Sequence, residues 1–533
     1  MKTKYILASI ITMTLFMACT NEMVIENGRE TDPTTGEDTW MSLRFSMQKQ
    51  ASTYAPNGNE LGTPDETRVD SAIIIFFDNA FKVVDFVPLG PAERGTPGQV
   101  SGSPGDAFKV NKDAKYLMAI INPPASYPLT WATGTDYATV NKFVSEPVGS
   151  VTSLVKGFMM TNSKGYLEPS SSTGDLIPLT LHFSADNAEN NPCAIRVDRV
   201  AAKVRLYTSG FTAAYATVSD IQWVLNVTNK TYYPLSRRLK THVNALVPTD
   251  PYATLLGTYR EDPNYDNSGN VWGTTDYNNN YNYYTTSSVS IPWVNPCDAP
   301  TPGDPQYCHE NTQRAEDNYH AYTTQNLIKA KYMPTSYMNK DGSPTNVPGT
   351  NGDWIRIFGV PYTYNTLMTY ISAELTAKYA QADPSLYRTP ICTEFNKYLS
   401  DPGINLGAVP LPDTPGTVAQ TIIDAFASKK TSVEGYAKRA ATVGKFVYYA
   451  EGISYYKVMI KHDDTDAEDN KLGEFGVVRN SVYDARITHF NNPGYPTIPE
   501  PDPATPNDPD KGGWLAVQID INPWTEYTQI EEL

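Results

Sequence analysis

The sequence predicts a mainly β protein with more than one domain, on three observations. Near its end, Leu515, Val517, Ile519 and Ile521 alternate with Ala516, Gln518, Asp520 and Asn522 in the two-residue period of an extended strand. Near its start, Met41, Leu43, Phe45 and Met47 alternate with Ser42, Arg44, Ser46 and Gln48 in the same period. The composition, with 41 Pro, 34 Gly and 36 Tyr, favours strands and turns over helices, and 533 residues exceed what one core holds.

Taken in order, the chain opens on a targeting segment, residues 1–18. Lys2 and Lys4 precede an apolar run, Ile6 to Met17, too short to span a bilayer. Phe16-Met17-Ala18-Cys19 then resembles a bacterial lipobox, with cleavage between Ala18 and Cys19. Cys19 would become the acylated first residue, carrying palmitate-type chains, and residues 19–38 a polar, acidic tether. A first all-β domain is expected over 39–190, from the Met41–Met47 strand and a polar loop at Ala51–Thr67. Ala72–Phe77 and Phe81–Phe86 follow as a buried hairpin, then strands at Tyr116–Ile121, Phe158–Asn162 and Ile177–Phe183.

Asn187–Pro192 reads as a boundary, and residues 191–495 as a second domain opened by Val197–Leu206 and Ile221–Asn226. Four-residue spacing of Leu367, Ile371, Leu375 and Tyr379, and of Val418, Ile422 and Phe426, predicts helical insertions within it. Late strands are expected at Lys445–Ala450, Tyr455–Lys461 and Ser481–Thr488. A Pro/Asp-rich linker, 496–513, reads as extended and solvated and leads to the final strand and Trp524 in 514–533.

The net charge of −16 argues against nucleic acid as a partner and suits an exported or surface protein. The six histidines are scattered, and no Gly-rich phosphate loop, HExxH or paired CxxC occurs, so the expected role is not enzymatic and no cofactor or metal is expected. Cys308-His309-Glu310 puts a thiol beside an imidazole, but adjacent strand residues point to opposite faces. Asp262-Pro263-Asn264-Tyr265-Asp266 starts like a calcium loop without its later glycine and glutamate, and His462-Asp463-Asp464-Thr465-Asp466 is an acidic cluster; both read as solvated loops. Cys297 and Cys308 bracket a Pro/Gly loop, and either pair in an oxidising compartment or serve as small buried residues. The Asn/Tyr tract Tyr277–Tyr284 reads as an exposed loop, with an adhesive surface as the alternative.

The two terminal strands admit two readings. Each is an edge strand of its own sheet, or they form a matched pair in which one is removed and the other donated to a neighbouring copy by strand addition. The second reading describes a polymerising subunit. Several segments carry a resemblance that bears on this choice. They are Phe158-Met159-Met160-Thr161-Asn162-Ser163, Val197-Asp198-Arg199-Val200-Ala201-Ala202-Lys203-Val204, Cys308-His309-Glu310-Asn311-Thr312 and Leu327-Ile328-Lys329-Ala330-Lys331-Tyr332-Met333-Pro334. Tyr455–His462, Val477–Tyr483 and the final strand with Pro523-Trp524 continue the order. Together they resemble the fimbrillins of Bacteroidales, in particular the major shaft subunit of Mfa-type short fimbriae.

That resemblance implies two transthyretin-like β-sandwich domains and export as a lipoprotein to the outer membrane and the cell-surface fimbrium. It implies removal of the first strand by a trypsin-like protease, then filling of the groove by the terminal strand of another copy. Fimbrial anchor and tip subunits are the further partners it implies, with adhesion and biofilm formation as the role. A tip adhesin or glycan-binding surface lipoprotein is the alternative. The chain departs from the pattern at the cut: the region after the first strand has no arginine before Arg68. Arg44 lies inside the strand, Lys49 has the better position and Arg68 the better chemistry, so Lys49 and Arg68 both stand as candidates.

Overall fold

The computed structural model describes residues 38–46, 62–90, 105–170, 176–239, 259–338, 343–357, 359–363, 442–443, 446–462, 470–504, 506–507, 515–523 and 527–528. Ala18, Cys19, Met47, Lys49, the expected helical insertions and Trp524 lie outside the described residues.

Thr39–Met41 (β1) and Leu43–Ser46 (β2) precede a short capped turn, Pro64–Thr67 (α1). Ala72–Phe77 (β3), Val83–Leu89 (β4), Phe108–Val110 (β5), Tyr116–Ile121 (β6), Met160–Asn162 (β7) and Cys193–Arg199 (β8) follow. Six of these strands form one sheet in the order β2-β8-β7-β6-β3-β4. Its neighbours run antiparallel except β2 and β8, which are parallel. The run Ala72–Phe77 is continuously apolar because both faces of this sheet are covered. Ile74 and Phe76 join Leu117, Ala119, Ile121 and the first strand in one cluster. Ile73, Ile75 and Phe77 join Met118, Ile120, Met159 and Tyr232 in another.

The later chain supplies Ala201–Tyr207 (β9), Ala216–Asn226 (β10), Gln306–His309 (β11), Gln325–Pro334 (β12), Trp354–Ile357 (β13) and Phe446–Tyr449 (β14). Ile453–Met459 (β15), Ser481–Phe490 (β16), Leu515–Pro523 (β17) and Tyr527–Thr528 (β18) complete it. One sheet has the order β11-β9-β16-β17-β18 and another the order β10-β12-β15. Val204, Leu206, Tyr483 and Ile487 from the first share a core with Trp223, Ile328 and Tyr456 from the second. Two sheets with their inner faces in one core make a β-sandwich. β13 pairs with β14, and Trp354 stacks on Tyr449 with ring centroids 4.1 Å apart.

Several expectations need correction. The stretch Val197–Leu206 is not one strand opening the later half: β8 belongs to the first sheet, β9 to the later one, and the chain crosses between them at the buried Val200. No glycine or proline marks the crossing, so periodicity runs through it. Asn187–Pro192, read as the boundary, is largely the end of a short helix, Ala185–Asn190, that leads into β8. Ile177–Phe183 is not a ladder strand. Around Pro178, the N–H groups of Ile177, Leu179 and His182 donate to Pro169, Lys115 and Trp40, three different neighbours. The Pro/Asp-rich tract is no solvated tether over 496–507: Thr497, Ile498 and Asn507 are buried, and the Asn507 N–H donates to the Asn318 carbonyl at 2.9 Å. Nor is the Asn/Tyr tract an exposed loop. Tyr277 and Tyr281 are buried with Val227 and Ala321, because Thr275–Asn280 is a helix that turns both rings inward.

The turn α1, expected as loop, joins the two halves. Thr63 caps it with a reciprocal box: the Glu66 N–H donates to Thr63 Oγ1, and Glu66 Oε2 accepts from the Thr63 N–H at 2.7 Å. Glu66 is fully buried, and its other carboxylate oxygen accepts from Tyr307 Oη at 2.7 Å and meets Lys203 Nζ at 3.0 Å. Arg199 Nε donates to the Glu66 carbonyl at 2.8 Å. A second buried pair, Arg479 with Glu310, ties residues 233–234 to the later half, as Arg479 also donates to the Tyr233 and Pro234 carbonyls. Burial raises the Glu66 pKa, but the Tyr307 hydroxyl, the Lys203 ammonium and the Thr63 N–H more than offset it. The carboxyl is held below its ordinary 4.5.

A depressed carboxyl contributes stability that is complete above pH 4.5 and is lost as pH falls through the folded value. Glu66→Ala should lower stability at neutral pH by about 3–5 kcal/mol, since it removes the buried carboxylate that accepts from Lys203, Tyr307 and the Thr63 N–H. The deficit should shrink below pH 4.5, as urea unfolding of both chains across pH will show.

Candidate assembly site: the first-strand groove and the last strand

The first strand is inserted, not appended. β1 pairs antiparallel with β5, Thr39 opposite Val110 and Met41 opposite Phe108. At Ser42 the chain changes sheets, and β2 pairs parallel with β8, Leu43 opposite Cys193 and Phe45 opposite Ile195. Both edges are hydrogen-bonded. The Cys193 N–H donates to the Ser42 carbonyl at 2.9 Å, the Gly105 N–H to the Leu43 carbonyl at 2.9 Å, and Ser42 Oγ to the Gly105 carbonyl at 2.6 Å. Trp40 and His182 exchange two further backbone bonds.

Alternation does the rest. Met41, Leu43 and Phe45 are each at most 1 % exposed, packed with Phe108, Val110, Leu179, Ile195 and Val197. Burial of such side chains contributes roughly 1.5–3 kcal/mol each. Taking the strand away would open an apolar trough and leave backbone groups of β5 and β8 without partners, which is costly in water. Arg44, half-buried opposite Ala194, is held in the ladder.

Arg68, the described candidate for the cut, is also held. Its guanidinium pairs with Asp65 and Asp70 and donates to the Leu154 and Val155 carbonyls. Its own carbonyl accepts from Asn122 Nδ2 at 2.7 Å, while Asn122 Oδ1 accepts from the N–H groups of Asp70 and Ser71. The hairpin carrying Gly157 lies so close that a Cβ there would be 2.7 Å from the Arg68 carbonyl oxygen; Gly157 has φ +79°.

The last strand, in this single chain, lies at home. β17 pairs antiparallel with β16, Leu515 opposite Phe490, Val517 opposite Ile487, Ile519 opposite Ala485 and Ile521 opposite Tyr483, and β18 covers its outer edge. All four partners on β16 are buried core residues.

The remaining constellations resolve into structure. The candidate disulfide is not formed: Cys297 and Cys308 are free thiols. Cys308 lies opposite Ala202 on β9, while the Cys297 N–H donates to the Leu206 carbonyl further along the same strand. That separation along β9 is about 13 Å, well beyond disulfide reach. Burial pushes the Cys308 thiol up to about 12 and the His309 imidazole down to about 4. His309 stacks on Tyr232 and its Nε2 lies 3.0 Å from the Glu146 carbonyl, so the two do not form a nucleophile and base. Asp262 is buried, accepting from the Asn264 and Thr312 N–H groups, an internal anchor and not a solvated loop residue. Among the described residues no group of three or more His, Cys, Asp or Glu side chains is placed to hold a metal; Asp463, Asp464 and Asp466 lie outside them.

Sequence reasoning missed the Glu66 junction. Its local signal, Thr63-Pro64-Asp65-Glu66, is a legible capping box; the long-range partners Lys203 and Tyr307 carry none.

The chain is mainly β, with its first strand inserted between two sheets. Residues 447–530 match the family of the major fimbrial subunit protein type IV, Fimbrillin, C-terminal. That region holds β15, β16 and β17, so it is this later part of the chain that is similar to fimbrillins. No curated protein matches. Among solved structures, the chain is similar to a candidate cell adhesion protein of Parabacteroides distasonis at 12% identity, covering 93% of this chain and 99% of that one, with a TM-score of 0.40. The fimbrilin FimA of Porphyromonas gingivalis is similar at 14% identity, with 92% and 98% covered and a TM-score of 0.39. The tip fimbrial protein Mfa3 of the same organism, with a C-terminal truncation, is similar at 12%, with 91% and 100% covered and a TM-score of 0.32.

Phe45→Ala should destabilise the full chain by about 3–5 kcal/mol in urea unfolding, because the trough around Phe45 cannot collapse between two sheets. Arg44→Ala, on the other face of the strand, should cost less than about 1 kcal/mol.

Proposed function

We propose that this chain is the shaft subunit of a cell-surface fimbria. It is exported as a lipoprotein acylated at Cys19 and relieved of its first strand by a trypsin-like protease acting at Lys49 or Arg68. It then polymerises as its last strand enters the groove of another copy. The observation that carries this reading is the first strand itself, hydrogen-bonded on both edges and buried through Met41, Leu43 and Phe45, near the end of the chain. Such a strand can be exchanged for another of the same period without altering the rest of the sheet. Leu515, Val517, Ile519 and Ile521 supply that period. Donation exchanges the antiparallel partners on β16 for those on β5 and β8 of a neighbour. The role is structural and not catalytic: the subunit carries adhesion and biofilm formation as part of a fibre held at the outer membrane, with anchor and tip subunits at its ends.

Cys19→Ala should leave the precursor without lipid and released from the membrane fraction, because residues 1–18 are too short an anchor. Metabolic labelling with a palmitate analogue checks this, and undiminished labelling would remove the lipoprotein step.

Val517→Asp with Ile519→Asp should abolish polymerisation seen by electron microscopy. Burying each of these apolar side chains contributes roughly 1.5–3 kcal/mol, and a carboxylate in its place costs more. Gln518→Asp should assemble nearly as the wild type does. Unimpaired fibres from the double variant would refute strand donation by this segment.

A further inference from the structure

We infer that residues 63–68 are a retained clasp that fastens the first sheet to the later half, and that the clasp shields the Arg68–Val69 bond from the protease that frees the first strand. The inference rests on the strand-removal reading above for its biological setting, but its physical basis is separate. A trypsin-like protease needs the arginine side chain in its specificity pocket, the adjoining carbonyl in its oxyanion hole and several flanking residues extended. At Arg68 the side chain and the carbonyl are already engaged. The guanidinium is held by Asp65, Asp70 and the Leu154 and Val155 carbonyls. The carbonyl is held by Asn122 Nδ2, and the next N–H groups, of Asp70 and Ser71, by Asn122 Oδ1. Asn122 is itself buried at the end of β6, where its Nδ2 also donates to the Phe158 carbonyl at 2.9 Å.

Opening this bond therefore means lifting the whole turn, and Glu66 opposes that. The buried carboxylate is the shared acceptor of Lys203, Tyr307 and the Thr63 N–H. Tyr307 packs edge-on against Phe158 at 5.0 Å, so the ring that holds Glu66 also seals the hairpin that holds Arg68. Removal of the chain up to a cut after Arg68 would take Glu66 away from both Lys203 and Tyr307. A cut before Thr63 spares all of these interactions, and Lys49 is the one Lys or Arg between Met47 and Gly62.

Limited digestion of the purified full chain with trypsin tests this, with new N-termini read by mass spectrometry and a urea-unfolded sample as the control for intrinsic cleavability. The Arg68–Val69 bond should be cut at least about a hundredfold more slowly in the folded chain than in the unfolded one, because cleavage tracks the open population. Glu66→Ala should raise its cutting at least about tenfold; should that variant fail to fold, Tyr307→Phe, which removes one hydrogen bond and keeps the ring, should raise it by a smaller factor. Cutting after Arg68 in the folded wild type at the unfolded rate, or no change in either folded variant, overturns the clasp. In surface-extracted polymer the mature chain should keep Thr63 to Arg68, and an N-terminus at Val69 overturns the inference. Polymer that keeps Met41 would sink the strand-removal reading while leaving the digestion result in place.

Discussion

The insertion of one short strand between β5 and β8 is the constraint around which the N-terminal half is arranged. Its backbone completes ladders on two sides, and Met41, Leu43 and Phe45 fill a trough whose walls come from Phe108, Val110, Ile195 and Val197. The step at Ser42, from one sheet to another, lets so few residues satisfy both. The rest of the large sheet does not share this dependence. β7, β6, β3 and β4 are packed on both faces, and their second face is covered by Tyr232, Leu235 and Val151, which come from elsewhere in the chain.

Between this inserted strand and the core of the later half lies a turn of opposite character. Where the first strand is held by backbone bonds and apolar packing that any alternating sequence can supply, the turn at 63–68 is held by particular side chains. Glu66, Lys203, Tyr307 and Asn122 are specific in geometry and charge, and no generic sequence replaces them. Generic packing thus gives way to specific side-chain chemistry over a few residues.

Much of the fold was legible. Two-residue alternation located β1, β2 and β17, while unbroken apolar runs at Ala72–Phe77 and Tyr116–Ile121, which reflect burial on both faces, located β3 and β6. What alternation cannot report is partnership. Val197–Leu206 reads as one strand because a chain passing between sheets at a buried valine keeps its period. Cys297 and Cys308 looked close because they are near in sequence, yet β9 sets them apart. The Asn/Tyr tract looked solvated because asparagine and tyrosine are polar; in the fold, Tyr277 Oη donates to the Ala321 carbonyl and Tyr281 Oη to Asn267 Oδ1, which lets both rings be buried. Of the assembly site, the two strands were visible from period alone, whereas the hold on Arg68 depends on Asn122 and Val155, far from it in sequence.

The sense of the trough has a consequence for symmetry. Its walls are unlike: β5 runs antiparallel to the occupant and β8 parallel to it, with a change of sheet between them. Such a site accepts a chain in one direction only. If the last strand of another copy filled it, donor and acceptor would present different surfaces, and that single joint would have no two-fold axis of its own. Repeated, it would be a rotation with a translation, and unless the rotation closed into a ring of two or more copies, the product would be a polar helical filament with two distinguishable ends.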